Sequence, residues 1–110
     1  MITALQSAAS GMYHSANQLT AVASNVANVQ SQNYQAWRVE GQAQVGGGVS
    51  SVWSRDPTPV WQGMDGQGLS NVDLDREAVS MISALRAYEA NAAVFRGTDQ
   101  MIGTLLDRFA

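Results

Sequence analysis

Two segments of this chain place an apolar residue at alternating intervals of three and four, and they stand at its two ends. From Ile2 the positions Leu5, Ala9, Met12, Ala16, Leu19, Ala23 and Val26 follow without a miss, the heptad pattern that holds one stripe on one side of a helix. Ala, Leu, Gln and Met fill much of the stretch and favour helix, and Thr3 with Gln6 has the spacing of a capping box. The pattern predicts a helix from about Thr3 to about Asn28. Ala at every second seam position lets a partner helix approach closely but buries little area, so this seam alone is a weak dimeriser.

The last segment repeats the signal with larger residues. Ala78, Met81, Leu85, Tyr88, Ala92, Phe95, Asp99, Ile102, Leu106 and Phe109 keep the alternation, with one polar interruption at Asp99. That residue is a solvated position where the stripe drifts off the ideal heptad, or a buried one that fixes register; the first reading is preferred. Val79, Ile82, Val94, Met101 and Leu105 add apolar surface off the seam, so this helix should touch more than one neighbour. Asp73 is placed to cap it, with Asp75 and Glu77 in the first turn where the helix dipole favours negative charge. A helix from Leu74 to Arg108 is about 50 Å long at 1.5 Å per residue. The chain should therefore be elongated, as a compact domain of this size has a radius of gyration near 13 Å.

The 110 residues, 45% of them apolar, suit one structural unit. Nine acidic and six basic residues, a net of −3, offer no basic surface for a phosphate backbone, so nucleic acid is not an expected partner. Without Cys there is no disulfide, thiolate metal site or Cys nucleophile. The longest apolar run is the four residues Ala92 to Phe95, far below the roughly 20 that span a bilayer. No basic stretch precedes an apolar one as in a cleavable signal. Residues 1–37 carry no charge at all, whereas ten of the fifteen charges lie from Asp73 to Arg108. A neutral face of Ser, Asn, Gln, Thr and Ala points to packing against other chains, with weak order in isolation as the second reading.

Residues 34–70 hold seven of the ten Gly, both Pro and all three Trp. Tyr34 to Val39 and Val49 to Ser54 read as strands, Gly46-Gly47-Gly48 as a flexible hairpin tip, and Asp56-Pro57-Thr58-Pro59 as a turn. Gly63 to Gly68 is a second loop. The glycine triplet lacks the following Lys-Ser/Thr and helix of a phosphate cradle. Trp37, Trp53 and Trp61 are read as the small core of the β element, before a ligand platform. The lone His14 has no acidic partner in its segment and reads as an interface or surface residue. No nucleophile, base and orienter share a spacing, and one His with scattered carboxylates is no metal set. An enzyme, a cofactor and a metal are not expected.

Three stretches resemble a known family. Ser24-Asn25-Val26-Ala27-Asn28 followed by Tyr34 resembles the N-terminal motif of bacterial flagellar rod, hook and basal-body proteins. Ser70-Asn71-Val72-Asp73, Glu77 and Arg86-Ala87-Tyr88-Glu89-Ala90-Asn91 resemble its C-terminal motif, and Gly48-Val49 through Asp56-Pro57-Thr58-Pro59 looks like the strand and turn of the family's proximal rod branch, rod protein C. The chain departs at Ser31-Gln32-Asn33, where the family has Thr-Pro-Gly, and its middle segment is short; Asn tolerates the left-handed conformation better than most residues.

The resemblance implies a mainly α fold in which long N- and C-terminal helices pair as a coiled coil, with a short β-hairpin between them. It divides the unit into an N-terminal helix (1–33), a β-rich middle (34–70) and a C-terminal helix (71–110). It further implies a structural subunit of the proximal rod, exported without a cleaved signal peptide and assembled in the periplasm into a tubular drive shaft around the export channel. Its partners would be copies of itself in a helical polymer, other rod subunits, and basal-body proteins of the membrane ring and hook side. Carried onto this chain, the assembly interface is Asn25, Asn28, Tyr34, Leu85, Arg86, Tyr88, Glu89, Asn91 and Phe95. By residue type, Asn25 and Asn28 would bond backbone where the first helix ends, Arg86 and Glu89 would pair one turn apart or across subunits, and Tyr88 would fill the seam with its hydroxyl at the rim. The alternative is a binding module whose Trp-bearing β segment recognises a peptide or polysaccharide.

Overall fold

A computed structural model describes residues 2–110. Helix α1 (Ile2–Ala27) is followed by strands β1 (Trp37–Ala43) and β2 (Val49–Arg55) and by helix α2 (Leu74–Phe109). The chain is mainly helical and elongated, 73 × 25 × 14 Å with a radius of gyration of 18.9 Å. α2 starts as its sequence dictates: Asp73 is extended and its carboxylate accepts the Asp75 N–H, with Asp75 and Glu77 in the first turn and Arg108 in the last. α1 is already helical at Ile2, so Thr3 lies inside the helix and not at its cap. At its far end the Asn28 side chain donates to the Ser24 carbonyl at 2.8 Å. The turn beyond uses Asn33 at φ 55°, a left-handed conformation that Asn tolerates better than most residues.

The helices run antiparallel. Gly11 faces Asn91, whose side chain lies 2.7–2.9 Å from where a Cβ on residue 11 would sit, while Asn25 and Glu77 line one cavity at the other end. Ala8, Gly11, Ser15, Val22 and Asn25 of α1 follow heptad spacing, and all but half-buried Gly11 are buried. On α2 the matching positions are Glu77 and Ala84, which are buried, and Ser80, Asn91 and Thr98, which are half-buried. The apolar seams do not join the two helices. In each helix the seam that meets the other lies one residue before the apolar one and is made of small and polar residues. Small side chains let the backbones approach closely, and the larger Leu5, Met12 and Leu19 beside them are half-buried. One residue is a rotation of 100°, and in an antiparallel pair it turns both apolar seams to the same side.

The hairpin covers the opposite side of α1. β1 and β2 pair from Trp37↔Arg55 to Ala43↔Val49, closed by a loop in which Gly46, Gly47 and Gly48 all have positive φ. Ser10 Oγ accepts the Val49 N–H at 3.1 Å. Ser51 Oγ lies 2.9 Å from His14 Nδ1 and 3.0 Å from Asn17 Nδ2. Ser10, His14 and Asn17 stand one residue before the seam that meets α2, on the flank away from the apolar stripe. The uncharged residues of the first segment thus have a use within the chain, since neutral hydroxyls and amides can meet a strand backbone without stranding a charge.

Trp37 and Trp53 meet edge to face with centroids 5.8 Å apart, and the Arg55 guanidinium lies 3.6 Å from the Trp37 ring centroid. Trp61 is not part of this core. It is 74% exposed, on a separate loop closed by the Gln62↔Gly68 bridge and tied to the turn after α1 by the Asn33 N–H, which donates to the Gly68 carbonyl at 3.1 Å. Asp99 is exposed.

Candidate assembly site

Two surfaces carry the residues singled out in the sequence: a buried polar junction where the helices meet the hairpin, and the apolar side of the helix pair. At the junction, Asn25 is fully buried. Its Oδ1 accepts the Trp37 N–H at 2.8 Å and the Tyr34 hydroxyl at 3.1 Å, and its Nδ2 donates to the Trp37 carbonyl at 3.0 Å. The Tyr34 hydroxyl also lies 3.0 Å from Ser24 Oγ. Asn71, from the second Ser-Asn-Val of the sequence, does the same for the neighbouring strand ends. Its Oδ1 accepts the Ala36 N–H at 2.7 Å, and its Nδ2 donates to the carbonyls of Asp56 and Thr58 at 3.1 and 2.8 Å. An Asn amide carries a donor and an acceptor side by side, so it substitutes for a neighbouring strand's backbone. Two of them anchor the root of the hairpin.

Arg38 sits between two carboxylates from distant parts of the chain, 3.1 Å from Asp56 Oδ2 and 2.7 Å from Glu77 Oε1. Hydrogen bonds from the Thr58 side chain and backbone N–H, with the Arg38 guanidinium alongside, hold the Asp56 carboxyl below its ordinary value of 3.8. Glu77 is 1% exposed, and its Oε2 has no hydrogen-bond partner. Glu77 helps line a cavity of about 260 Å³ between α1, α2 and β1, whose polar lining includes Gln18, Asn25 and Ser80. The cavity is roomy and polar enough for water. The sequence reading assigned Glu77 to the helix dipole and Asp56 to a turn, and it missed Arg38. The available signal was that a strand beginning Trp37-Arg38 leaves a cation at the root of the hairpin, where an unpaired charge is costly.

The remaining predicted residues lie on α2. Leu85, Tyr88 and Phe95 are 43, 39 and 40% exposed and share the apolar side with Met12, Leu19 and Val26 of α1. Arg86 and Glu89 pair one turn apart at 3.2 Å, with 78 and 63% of their side chains exposed, so the pair is worth well under about 1 kcal/mol. Asn91 lies in the seam between the helices against Gly11, and its Nδ2 donates to the Ala87 carbonyl at 3.0 Å. The nine residues therefore divide. Asn25, Asn28, Tyr34 and Asn91 make bonds or contacts inside the chain, whereas Leu85, Tyr88 and Phe95 face outward, flanked by the Arg86–Glu89 pair. Among the described residues no cluster of His, Asp or Glu could hold a metal ion, and no helix is long and apolar enough to cross a membrane.

Residues 68–108 match the family model described as flagellar basal body rod FlgEFG protein C-terminal. The match supports a flagellar basal-body rod family. It spans Asn71, Glu77 and α2 as far as Arg108, and so includes the outward-facing Leu85, Tyr88 and Phe95. A structural role in the basal-body rod, alongside other rod subunits, accords with both. No curated protein matches the chain at a significant level.

Proposed function

We propose that this protein is a structural subunit of the proximal flagellar rod, whose helix pair packs by its apolar side against neighbouring subunits in a helical tube. One observation carries the reading: Leu85, Tyr88 and Phe95 of α2 and Val26 of α1 stand exposed on the apolar side of the helix pair, while small and polar residues fill the seam between the helices. Where contacts between copies are heterologous and do not close, they give an open helical assembly. The tube would transmit torque and enclose the export channel, and the subunit would reach it in the periplasm by export without a cleaved signal. Leu85, Tyr88 and Phe95 are the proposed contact residues, with Arg86 and Glu89 at their edge. Asn25, Asn28, Tyr34 and Asn91 contribute by holding the helices and hairpin in the shape that neighbours meet. A Trp-based binding module finds less support, since Arg55 covers Trp37 and Trp61 stands apart.

The test is Tyr88→Asp, which places a charge in the middle of the apolar side. Export should be intact and incorporation into the rod abolished. Normal rods containing this variant would sink the assignment.

A further inference from the structure

The junction of Arg38 with its two carboxylates carries a surplus of negative charge. Inside, Asp56 and Glu77 share one guanidinium; the second cation, Arg76, reaches Asp56 from the rim at 3.6 Å with 58% of its side chain exposed. Asp56 is supplied further by the Thr58 N–H at 2.9 Å. Glu77, 1% exposed, spends Oε1 on Arg38, and its Oε2 has no hydrogen-bond partner. A buried carboxylate oxygen left unpaired is costly, and such an atom marks a place where a donor belongs.

Glu77 also helps line the cavity between the helices and β1. Gln18, Ser80 and Ser83 add side-chain oxygens to its wall, while Val39 and Val79 give it an apolar side. Val79 and Ser83 are exposed, which puts the mouth of the cavity along α2. The Asn25 oxygen is already spent on Trp37 and Tyr34. Water in this space supplies donors but neutralises no charge and makes no use of the valines. A cation that carries N–H donors on a short aliphatic stem meets all three features, since its charge balances the junction, its donors reach the oxygens and its stem lies on the apolar side. We propose that this cavity is a binding site for an alkylated ammonium or guanidinium group, held by Glu77 with Gln18 and Ser80. The chemistry is the same whether the group belongs to a free amine or to a basic side chain of a neighbouring subunit; the second source rests on the reading of the chain as a rod subunit.

The probe is n-butylammonium, titrated into the isotope-labelled chain. The indole N–H resonance of Trp37, which lines the cavity, should shift saturably, while that of Trp61 on its separate loop stays in place. Butan-1-ol, with the same stem and no charge, should bind about tenfold more weakly or worse. Glu77→Gln keeps the size of the side chain and removes its charge, and should weaken the amine by a similar factor, with circular dichroism showing unchanged helix content. Gln18→Met and Ser80→Ala should each weaken it severalfold, and they carry the test if Glu77→Gln does not fold. No saturable shift at Trp37, equal binding of the alcohol, or unchanged affinity in the wall variants overturns the site and leaves water as its occupant. Sedimentation with the amine present separates the two sources: reduced self-association assigns the site to a neighbour's side chain, and unchanged self-association with saturable binding assigns it to a free amine. Failure of the Tyr88→Asp test strikes the rod reading and leaves the binding result standing.

Discussion

The side-chain amide of Asn25 closes on the backbone of Trp37 from both directions, taking its N–H at 2.8 Å and donating to its carbonyl at 3.0 Å. One helical residue thereby fixes where the first strand begins. Asn25→Ala would strand both backbone groups of half-buried Trp37, each worth about 1–3 kcal/mol, so urea unfolding should show a loss of about 2–6 kcal/mol. Asn28→Ala, which removes a bond to the helix's own end, should lose less than half as much. Equal losses for the two would show that the amide clamp does not hold the hairpin.

Arg38 and Glu77 should be strongly coupled. Arg38→Met leaves a carboxylate that is 1% exposed without its cation, a change expected to destabilise by about 3 kcal/mol or more. Adding Glu77→Leu removes the orphaned charge, so the double variant should be more stable than Arg38→Met alone. A double-mutant cycle in chemical denaturation measures this directly, and simple additivity would show that the pair is independent.

Acid should weaken the junction through Asp56. Its carboxyl titrates below the ordinary 3.8 because of Thr58 and Arg38, so the folded chain binds this proton less readily than the unfolded one. The associated stability is complete above the ordinary carboxylate value and is lost as pH falls from there through the folded value. Asp56→Asn should flatten the stability profile in that acid window and leave its slope unchanged near neutral pH. A profile as steep as the parent's would assign the acid sensitivity elsewhere.

Gly11 and Asn91 should trade against one another. Ala at position 11 gains helix propensity of about 1 kcal/mol, but its Cβ falls 2.7–2.9 Å from three atoms of the Asn91 side chain. Gly11→Ala alone should therefore be close to neutral, and Gly11→Leu destabilising by about 1–3 kcal/mol through overpacking. Gly11→Ala with Asn91→Ala, which removes the obstructing amide, should melt above the parent. A double variant no more stable than Gly11→Ala would mean that the close approach is not set by these two residues.

The sequence disclosed the helices, their lengths and the cap at Asp73 because those depend on local periodicity and on one side chain reaching its own backbone. The two strands were legible in place, the second nearly in its bounds, whereas the first, read as Tyr34 to Val39, runs Trp37–Ala43. What it hid was which stripe goes inside. Leu85 and Tyr88 are the obvious core candidates by transfer energy, yet Ala84 and Ser15 take the interior because two helices draw close only where side chains are short. The charge pair of Arg38 with Glu77 was hidden too, since the two residues are 39 positions apart and only the assembled junction brings them together.

Placing the small stripe and the large stripe one residue apart separates two properties that usually compete for the same positions. On the proposed reading as a rod subunit, substitutions at Leu85 or Phe95 would retune how firmly it grips its neighbours while Ala84, Ser15 and Gly11 keep the hairpin of helices unchanged. On that reading the affinity of the assembly and the stability of its building block would drift independently over evolution, and a designer could set each without reopening the other.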